Sequence, residues 1–193
     1  MTERIAAIVL AGGRSSRFGR DKLAEPIDGR PMLDHVIDAV RSLATDISVV
    51  ATTDAPPTVP ADVTLVHDAR AFEGPLAGLA TGLAALDPAV ERVVVVGGDM
   101  PTLVPAVMRR LIDGLDRHEA AVLADDEGPR PLPMVVRLSA AGPAVERLVD
   151  GGERRLRALL GDLDVQVIPA EIWRTDDPTG ATLRDVDVPD DLP

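Results

Sequence analysis

The stretch that decides the fold is Ile5-Ala-Ala-Ile-Val-Leu-Ala-Gly-Gly-Arg-Ser-Ser-Arg-Phe-Gly-Arg-Asp-Lys22. Its first part, Ile5–Leu10, is an uninterrupted apolar run, which predicts a buried strand. Gly12, Gly13 and Gly19 then allow tight turning and close approach of the backbone to a ligand. Arg14, Arg17, Arg20 and Lys22 place four cations within nine residues. A loop of exposed N–H groups with cations, hung on the end of a buried strand, is a means of holding phosphates. Lys22 is the only lysine in the chain. One compact point charge among arginines points to a phosphate contact with particular geometry. A surface turn with chance basic residues is the plainer alternative.

Two familiar phosphate loops do not fit. A P-loop needs Gly-Lys followed by Ser or Thr, whereas Lys22 stands between Asp21 and Leu23. The dinucleotide fingerprint needs G-x-G-x-x-G, and Gly12-Gly13 with Gly19 has another spacing.

Reading outward, apolar runs and breakers alternate. Pro31 opens a predicted helix carrying Met32, Leu33, Val36, Ile37, Val40 and Leu43 at helical spacing. Strands are predicted at Ile47–Ala51 and Val63–Val66, the latter ending at His67-Asp68. Gly74-Pro75 precedes a small-residue helix at Leu76–Leu86, whose internal glycines imply close packing or ligand approach. Arg92-Val-Val-Val-Val-Gly-Gly-Asp99 carries four consecutive valines, the mark of a central strand buried on both faces. A helix at about Thr102–Leu115, a strand at Ala120–Ala124 and an extended segment at Pro131–Arg137 follow. Helices at Ala144–Val149 and Arg154–Leu160 and a strand at Val165–Ile168 close the pattern. The alternation predicts an α/β fold, a doubly wound, mostly parallel sheet, as a single domain over 1–193.

Composition excludes several functions. The 193 residues carry a net charge of −12, which repels nucleic acid and anionic membranes. Aromatics are only 2%, so base stacking on aromatic platforms is not expected. There is no cysteine, hence no disulfide, thiolate metal site or thiol nucleophile. His35, His67 and His118 have no metal-ligand spacing among themselves. No long apolar run or signal-like N-terminus is present, and the expectation is a cytoplasmic protein.

Asp99 is the second anchor, since ligands of open α/β sheets gather at the carboxyl ends of strands. A carboxylate beside a phosphate loop is a natural Mg²⁺ ligand, the ion preferring oxygen donors shared with phosphates. A helix cap is the structural alternative. Asp68, beyond its own strand, reads alone as a turn residue.

Together these segments resemble the molybdenum cofactor guanylyltransferases, pyrophosphorylase-type nucleotidyltransferases with the signature L-A-G-G-x-S-x-R-x-G-x-D-K. Leu10, Ala11, Gly12, Gly13, Ser15, Arg17, Gly19, Asp21 and Lys22 fall in register with it. Gly97-Gly-Asp-Met-Pro101 resembles the family's metal-binding aspartate motif, and Gly74-Pro-Leu-Ala-Gly78 its G-P-L-A-G segment. The resemblance implies a Rossmann-like nucleotidyltransferase fold and transfer of GMP from GTP to Mo-molybdopterin with release of pyrophosphate. It implies a nucleotide site at Leu10, Ala11, Gly12, Gly13, Arg14, Lys22, Asp68, Gly78 and Asp99, with Mg²⁺ on Asp99. Arg17, Lys22 and Asp99 would be catalytic. Gly152-Glu-Arg-Arg155, with Arg157, resembles the family's G-E-R-R. Asp185-Val-Asp-Val-Pro-Asp-Asp-Leu192 resembles N-x-N-T-P-E-D-L, with aspartates for both asparagines. These place Arg154, Arg155, Asp185 and Asp187 on the acceptor side. Molybdoenzyme-maturation proteins are implied as partners, and a monomer or weak oligomer is expected. The rivals are a cytidylyltransferase for the same cofactor, a transferase for another phosphorylated acceptor, and a non-catalytic nucleotide-binding or delivery protein. Gly12-Gly13, where cytidylyltransferase relatives tend to have Ala-Gly, favours guanine.

Overall fold

The computed structural model describes residues 3–12, 22–54, 56–68, 74–186, 188 and 191–192. The valine run is the middle of the architecture. Val93, Val94, Val95 and Val96 are each fully buried, and alternate members serve opposite faces of one sheet. Val94 and Val96 join a cluster with Ala7, Val9 and Leu111, while Val93 and Val95 join another with Ala6, Ile8 and Leu79. Burying a valine fully contributes about 1.5–3 kcal/mol, so a run buried on two sides anchors both layers at once.

The elements in chain order are β1 (Ile5–Leu10), a small hairpin of β2 (Pro26–Ile27) and β3 (Arg30–Pro31), α1 (Met32–Arg41), β4 (Asp46–Thr52) and β5 (Thr64–Asp68). There follow α2 (Pro75–Ala84), β6 (Arg92–Gly97), α3 (Pro105–Gly114), β7 (Ala120–Asp125) and β8 (Gly128–Arg137). The last are α4 (Leu138–Asp150), β9 (Val165–Ile168) and α5 (Ala170–Trp173). Seven strands form the main sheet in the order β5-β4-β1-β6-β8-β7-β9. All neighbours are parallel except β8, which runs antiparallel to both β6 and β7. Leu33, Val36 and Ile37 of α1 and Val107 and Met108 of α3 cover one face. Leu76 and Leu83 of α2 with Ala141 and Val145 of α4 cover the other. The doubly wound, mostly parallel sheet is as expected.

Several local readings differ from expectation, among them α5, which was not predicted. The helix predicted from Ala144 begins at Leu138 and carries Pro143 inside it. Both Pro143 and Ser139, whose carbonyl loses its partner to the ring, lie on the exposed face, where water replaces the missing bond. The helix predicted from Arg154 is instead a 3-10 turn at Leu156–Gly161. Glu153 accepts the backbone N–H groups of Arg154 and Arg155 at 2.8 and 3.0 Å, a local alternative to helical bonding. The β2–β3 hairpin was not expected. Its turn, Asp28-Gly29, has φ of 49° and 78°, as a tight hairpin requires.

Among the described residues no helix is long and apolar enough to cross a membrane.

Candidate functional site

Chain direction reverses between β1 and β6. From β1 the chain moves outward to β4 and β5, then returns across α2 to β6. The carboxyl ends of β1 and β6 are therefore the topological switch point, where such sheets open a crevice. Backbone bonds tie the strand ends together there: Ala11 N–H donates to the Val50 carbonyl at 2.8 Å and Gly98 N–H to that of Leu10 at 2.9 Å. The crevice has a volume of ≈ 590 Å³ and is lined by, among others, Leu10, Gly12, Asp68, Gly78, Asp99 and Leu132.

Asp99 stands at this point on a turn closed by Met100 N–H to the Gly97 carbonyl at 3.3 Å. A Cβ on Gly97 would lie 2.5 Å from Asp99 Oδ1, so glycine is what lets the carboxylate occupy its position. The Asp99 carbonyl accepts Val186 N–H at 2.9 Å, and Val186 itself is buried against Ile27 and Met32. The hairpin and the C-terminal segment thus brace Asp99 from behind. Lys22, only 9% exposed, donates from Nζ to Asp99 Oδ2 at 3.0 Å. The Asp99 side chain keeps 34% of its surface exposed. Asp99 is thus also a counter-charge to a buried lysine.

Asp68 closes β5, three strands from β6. At about 4.8 Å per strand spacing, Asp68 and Asp99 belong to strands roughly 14 Å apart. The Asp68 residue is 7% exposed, and Thr81 Oγ1 on α2 lies 3.1 Å from its Oδ1. The two glycines of α2 have separate roles. At Gly82 a Cβ would stand 2.9 Å from Val50 and 3.0 Å from Ile8, so this glycine seats the helix on the sheet. At Gly78 a Cβ would stand 3.8 Å from Asp68 and Leu10, ordinary contact distance, and this glycine lines the cleft.

The residues expected on the acceptor side are placed unequally. The Arg154 carbonyl accepts Leu76 N–H at 3.3 Å, and Gly74, which lines the cleft, meets Arg154 closely enough that a Cβ would be 2.8 Å from that carbonyl. This brings the Gly152–Arg155 segment to the rim. Arg155 is held by a bidentate pair with Glu153, both contacts 3.0 Å, so an incoming anion has to compete with that carboxylate. The Arg155 guanidinium, then the N–H groups of Arg155 and Arg154, lower the Glu153 carboxyl to about 2. Arg157 donates instead to the Pro129 carbonyl at 2.8 Å. Asp185 is exposed beside Val186. Gly13, Arg14, Arg17 and Asp187 lie outside the described residues.

Two buried acidic groups, Glu25 and Asp177, were missed, and the second has a structural part to play. Asp177, 3% exposed, accepts Thr182 N–H at 2.7 Å and the Thr179 hydroxyl at 3.0 Å. Burial raises its carboxyl, but these bonds, with that of Ala181, outweigh burial and lower it overall. Thr102 Oγ1 donates to the Ala181 carbonyl at 2.8 Å, and Val104 N–H to Thr182 Oγ1 at 3.2 Å. The turn around Asp177 therefore holds the C-terminal segment against the start of α3. It also explains why α3 starts at Pro105 rather than Thr102. Asp-Pro-Thr-Gly is a turn composition that signals such a motif.

Fold and crevice define a doubly wound α/β protein with its ligand cleft at the switch point, a carboxylate at each end and a lysine at one. Residues 7–167 match the profile of the MobA-like NTP transferase domain, and the chain belongs to that family. It is 32% identical to the probable molybdenum cofactor guanylyltransferase of Chloroflexus aggregans, over 97% of this chain and 91% of that protein. It is 30% identical to the molybdenum cofactor guanylyltransferase of Desulfosudis oleivorans, over 98% and 93%. Its fold is similar to the crystal structure of molybdopterin-guanine dinucleotide biosynthesis protein A from Archaeoglobus fulgidus, with a TM-score of 0.79 at 23% identity, covering 97% and 94% of the two chains.

Proposed function

We propose that this chain transfers GMP from GTP to Mo-molybdopterin, giving the guanine dinucleotide cofactor and pyrophosphate. The observation that carries the reading is the Lys22–Asp99 pair at the switch point, in one cleft with Asp68. A phosphate chain is assigned to the end where Lys22 stands. The nucleoside is assigned to the end closed by Asp68, a carboxylate that can accept N–H or O–H donors.

In the reaction an oxygen of the acceptor's terminal phosphate forms a bond to the α-phosphorus of GTP. The bond from that phosphorus to the β-phosphate bridging oxygen breaks, and pyrophosphate leaves with the electron pair. No covalent bond to the protein is needed. Lys22 donates to the phosphate oxygens on which charge gathers, and Arg14 and Arg17 are assigned the same task from the loop. Such positioned donors act by charge stabilisation at the departing group. Gly12 and Gly13 let the backbone approach the nucleotide. Arg154, Arg155, Asp185 and Asp187 are assigned to the acceptor.

The donor set suits Mg²⁺. Asp99 offers one carboxylate beside a phosphate site, and Mg²⁺ binds through one or two carboxylates together with substrate phosphates. Bound there, it would neutralise part of the triphosphate charge. The net charge of −12 fits small anionic substrates delivered to a local cluster of cations, in the cytoplasm, rather than nucleic acid.

The test is incubation with GTP, Mo-molybdopterin and Mg²⁺, following pyrophosphate release and the mass of the product. Stoichiometric pyrophosphate and guanine dinucleotide are expected. GTP binding without pyrophosphate release would assign the protein to carriage of nucleotide or cofactor instead.

A further inference from the structure

We infer that the outer edge of β9 is an association surface for a second copy of this chain, the two strands antiparallel about a two-fold axis at Gln166. β9 ends the main sheet, and among the described strands β7 alone pairs with it. The outward backbone groups follow from the neighbouring Asp164. Its N–H donates to Glu119 Oε2 at 2.9 Å, and its carbonyl accepts the N–H groups of Glu119 and Ala120 at 2.9 and 3.1 Å, all on the β7 side. Backbone direction alternates along a strand, so Gln166 and Ile168 also face β7. Val165 and Val167 then turn their N–H and C=O groups out of the sheet. Among the described residues the one bond to these groups is a long one, from Gln166 Nε2 to the Val167 carbonyl at 3.3 Å. β9 contains no charge, proline or bulge, the devices that ordinarily keep an exposed edge from pairing.

The occupant is a second copy because this surface is complementary to itself, as a two-fold contact requires. With Gln166 opposite Gln166, Val165 of each copy stands opposite Val167 of the other, and each such pair exchanges both of its N–H···O bonds. The side chains agree. Val167 is 36% exposed and would be covered by the second copy's Val165; Ile172, 45% exposed, flanks the same edge. They are two of the three large apolar side chains left exposed among the described residues. On the opposite face of the sheet, Arg109 and Asp113 of α3 line one groove with Gln166. They stand four residues apart with opposite charges, and neither has an ion pair or hydrogen bond among the described residues. The same axis sets α3 antiparallel to its counterpart, bringing Arg109 of each copy to Asp113 of the other. The net charge of −12 opposes association at long range, but physiological salt screens it beyond about 8 Å and leaves the local pairs. A strand of four residues makes this a weak contact.

The experiment combines sedimentation with a single introduced thiol, which reports cleanly because the chain has no cysteine. The mass of the unaltered chain should rise from that of one copy toward that of two as its concentration is raised. At the axis Gln166 meets itself as a pair without mutual hydrogen bonds, with Cα atoms about 4.5 Å apart, within disulfide range. Under mild oxidation Gln166→Cys should give a dimer that reductant dissolves, whereas Ser139→Cys, exposed on α4, should stay monomeric. Val167→Pro removes an outward N–H and no bond to β7, so association should be lost while the thermal melt shows a folded chain. Should Val167→Pro fail to fold, Val167→Lys makes the same comparison. Arg109→Asp should weaken association at least about tenfold by setting like charges together, and adding Asp113→Arg should restore it. The inference is overturned by the mass of one copy at every concentration up to about 1 mM, where a contact with that Kd would be half formed. It is equally overturned if Val167→Pro or Val167→Lys associates as the unaltered chain does, if Gln166→Cys cross-links no faster than Ser139→Cys, or if the exchange of charges restores nothing.

Discussion

Two carboxylates close the strands at opposite ends of one cleft, and their neighbours differ. Asp99 is paired with Lys22, a cation; Asp68 with Thr81, a neutral hydroxyl. The first pair is close to neutral and can exchange partners when anions and metal arrive. The second sets a carboxylate against a hydroxyl on α2. The difference teaches that one residue type can be set among different neighbours, and in the proposed reading it serves a phosphate end just beyond β6 and a nucleoside end on β5.

The largest effect should come from breaking the first pair. Asp99→Asn is expected to lower turnover by at least about a hundredfold, the usual loss for one preorganised electrostatic group. It should also destabilise the fold by about 1–3 kcal/mol, since Lys22 loses its counter-charge while partly buried. Steady-state rates across a Mg²⁺ titration, with a thermal melt, check both. Near-normal turnover would remove Asp99 from the reaction and leave only its role as partner to Lys22.

Lys22 should follow closely. Lys22→Ala is expected to cost about a hundredfold in rate. Lys22→Arg should recover only part, because the guanidinium fork neither fits the 9%-exposed space nor meets Asp99 in the same geometry. Unchanged kinetics in Lys22→Arg would show that charge alone matters at this end.

The two glycines of α2 sharpen the contrast between cleft and packing. Gly78→Ala meets only ordinary contacts and gains about 1 kcal/mol of helix propensity, so its melting temperature should hold or rise while GTP affinity falls roughly tenfold. Gly82→Ala drives a methyl into Val50 and Ile8; its overpacking cost, about 1–3 kcal/mol, should exceed the same gain and lower the melting temperature with affinity kept. A loss of affinity in Gly82→Ala larger than in Gly78→Ala would break this assignment.

The smallest effect is acid sensitivity at the Asp177 turn. Its carboxyl is lowered in the folded protein, so its contribution is fully present above the unfolded carboxylate value of about 3.9. That contribution is lost as pH falls through the folded value. Asp177→Asn should therefore flatten the fall in stability below about pH 4, at the cost of lower stability at neutral pH. Denaturant midpoints at neutral pH and in acid measure it. An acid dependence identical to that of the unaltered chain would contradict the assignment.

How much was legible in the sequence follows from where the information lies along the chain. β1 and β9 were read with their own boundaries, and the valine strand in its place, because apolar runs report burial directly. Asp99 was singled out because it follows such a run, whereas Asp68 reads alone as a turn residue and entered through the family resemblance. The hairpin was missed because two-residue strands carry no periodicity, though Asp28-Gly29 is a hairpin turn pair. The start of α4 was hidden by Gly142-Pro143, which reads as a breaker until Pro143 is known to face water. Contacts such as Thr81 to Asp68, Val186 to Asp99 and Lys22 to Asp99 join separate elements and leave no local signature. Sequence located the two carboxylates; only the fold shows what stands behind each.

The central claim, that Asp68 and the glycine-opened face of α2 hold a guanine nucleoside while Lys22 and Asp99 hold its phosphates, is tested most directly by nucleotide choice. The measurement is kcat/KM for GTP, ATP and CTP with saturating Mo-molybdopterin and Mg²⁺. Guanine offers N1–H and N2–H₂ donors, and a site built on hydrogen bonds rejects bases that leave its groups unpaired. GTP should be preferred over ATP and CTP by on the order of a hundredfold or more. A preference for CTP would contradict the guanine reading and make the chain a cytidylyltransferase.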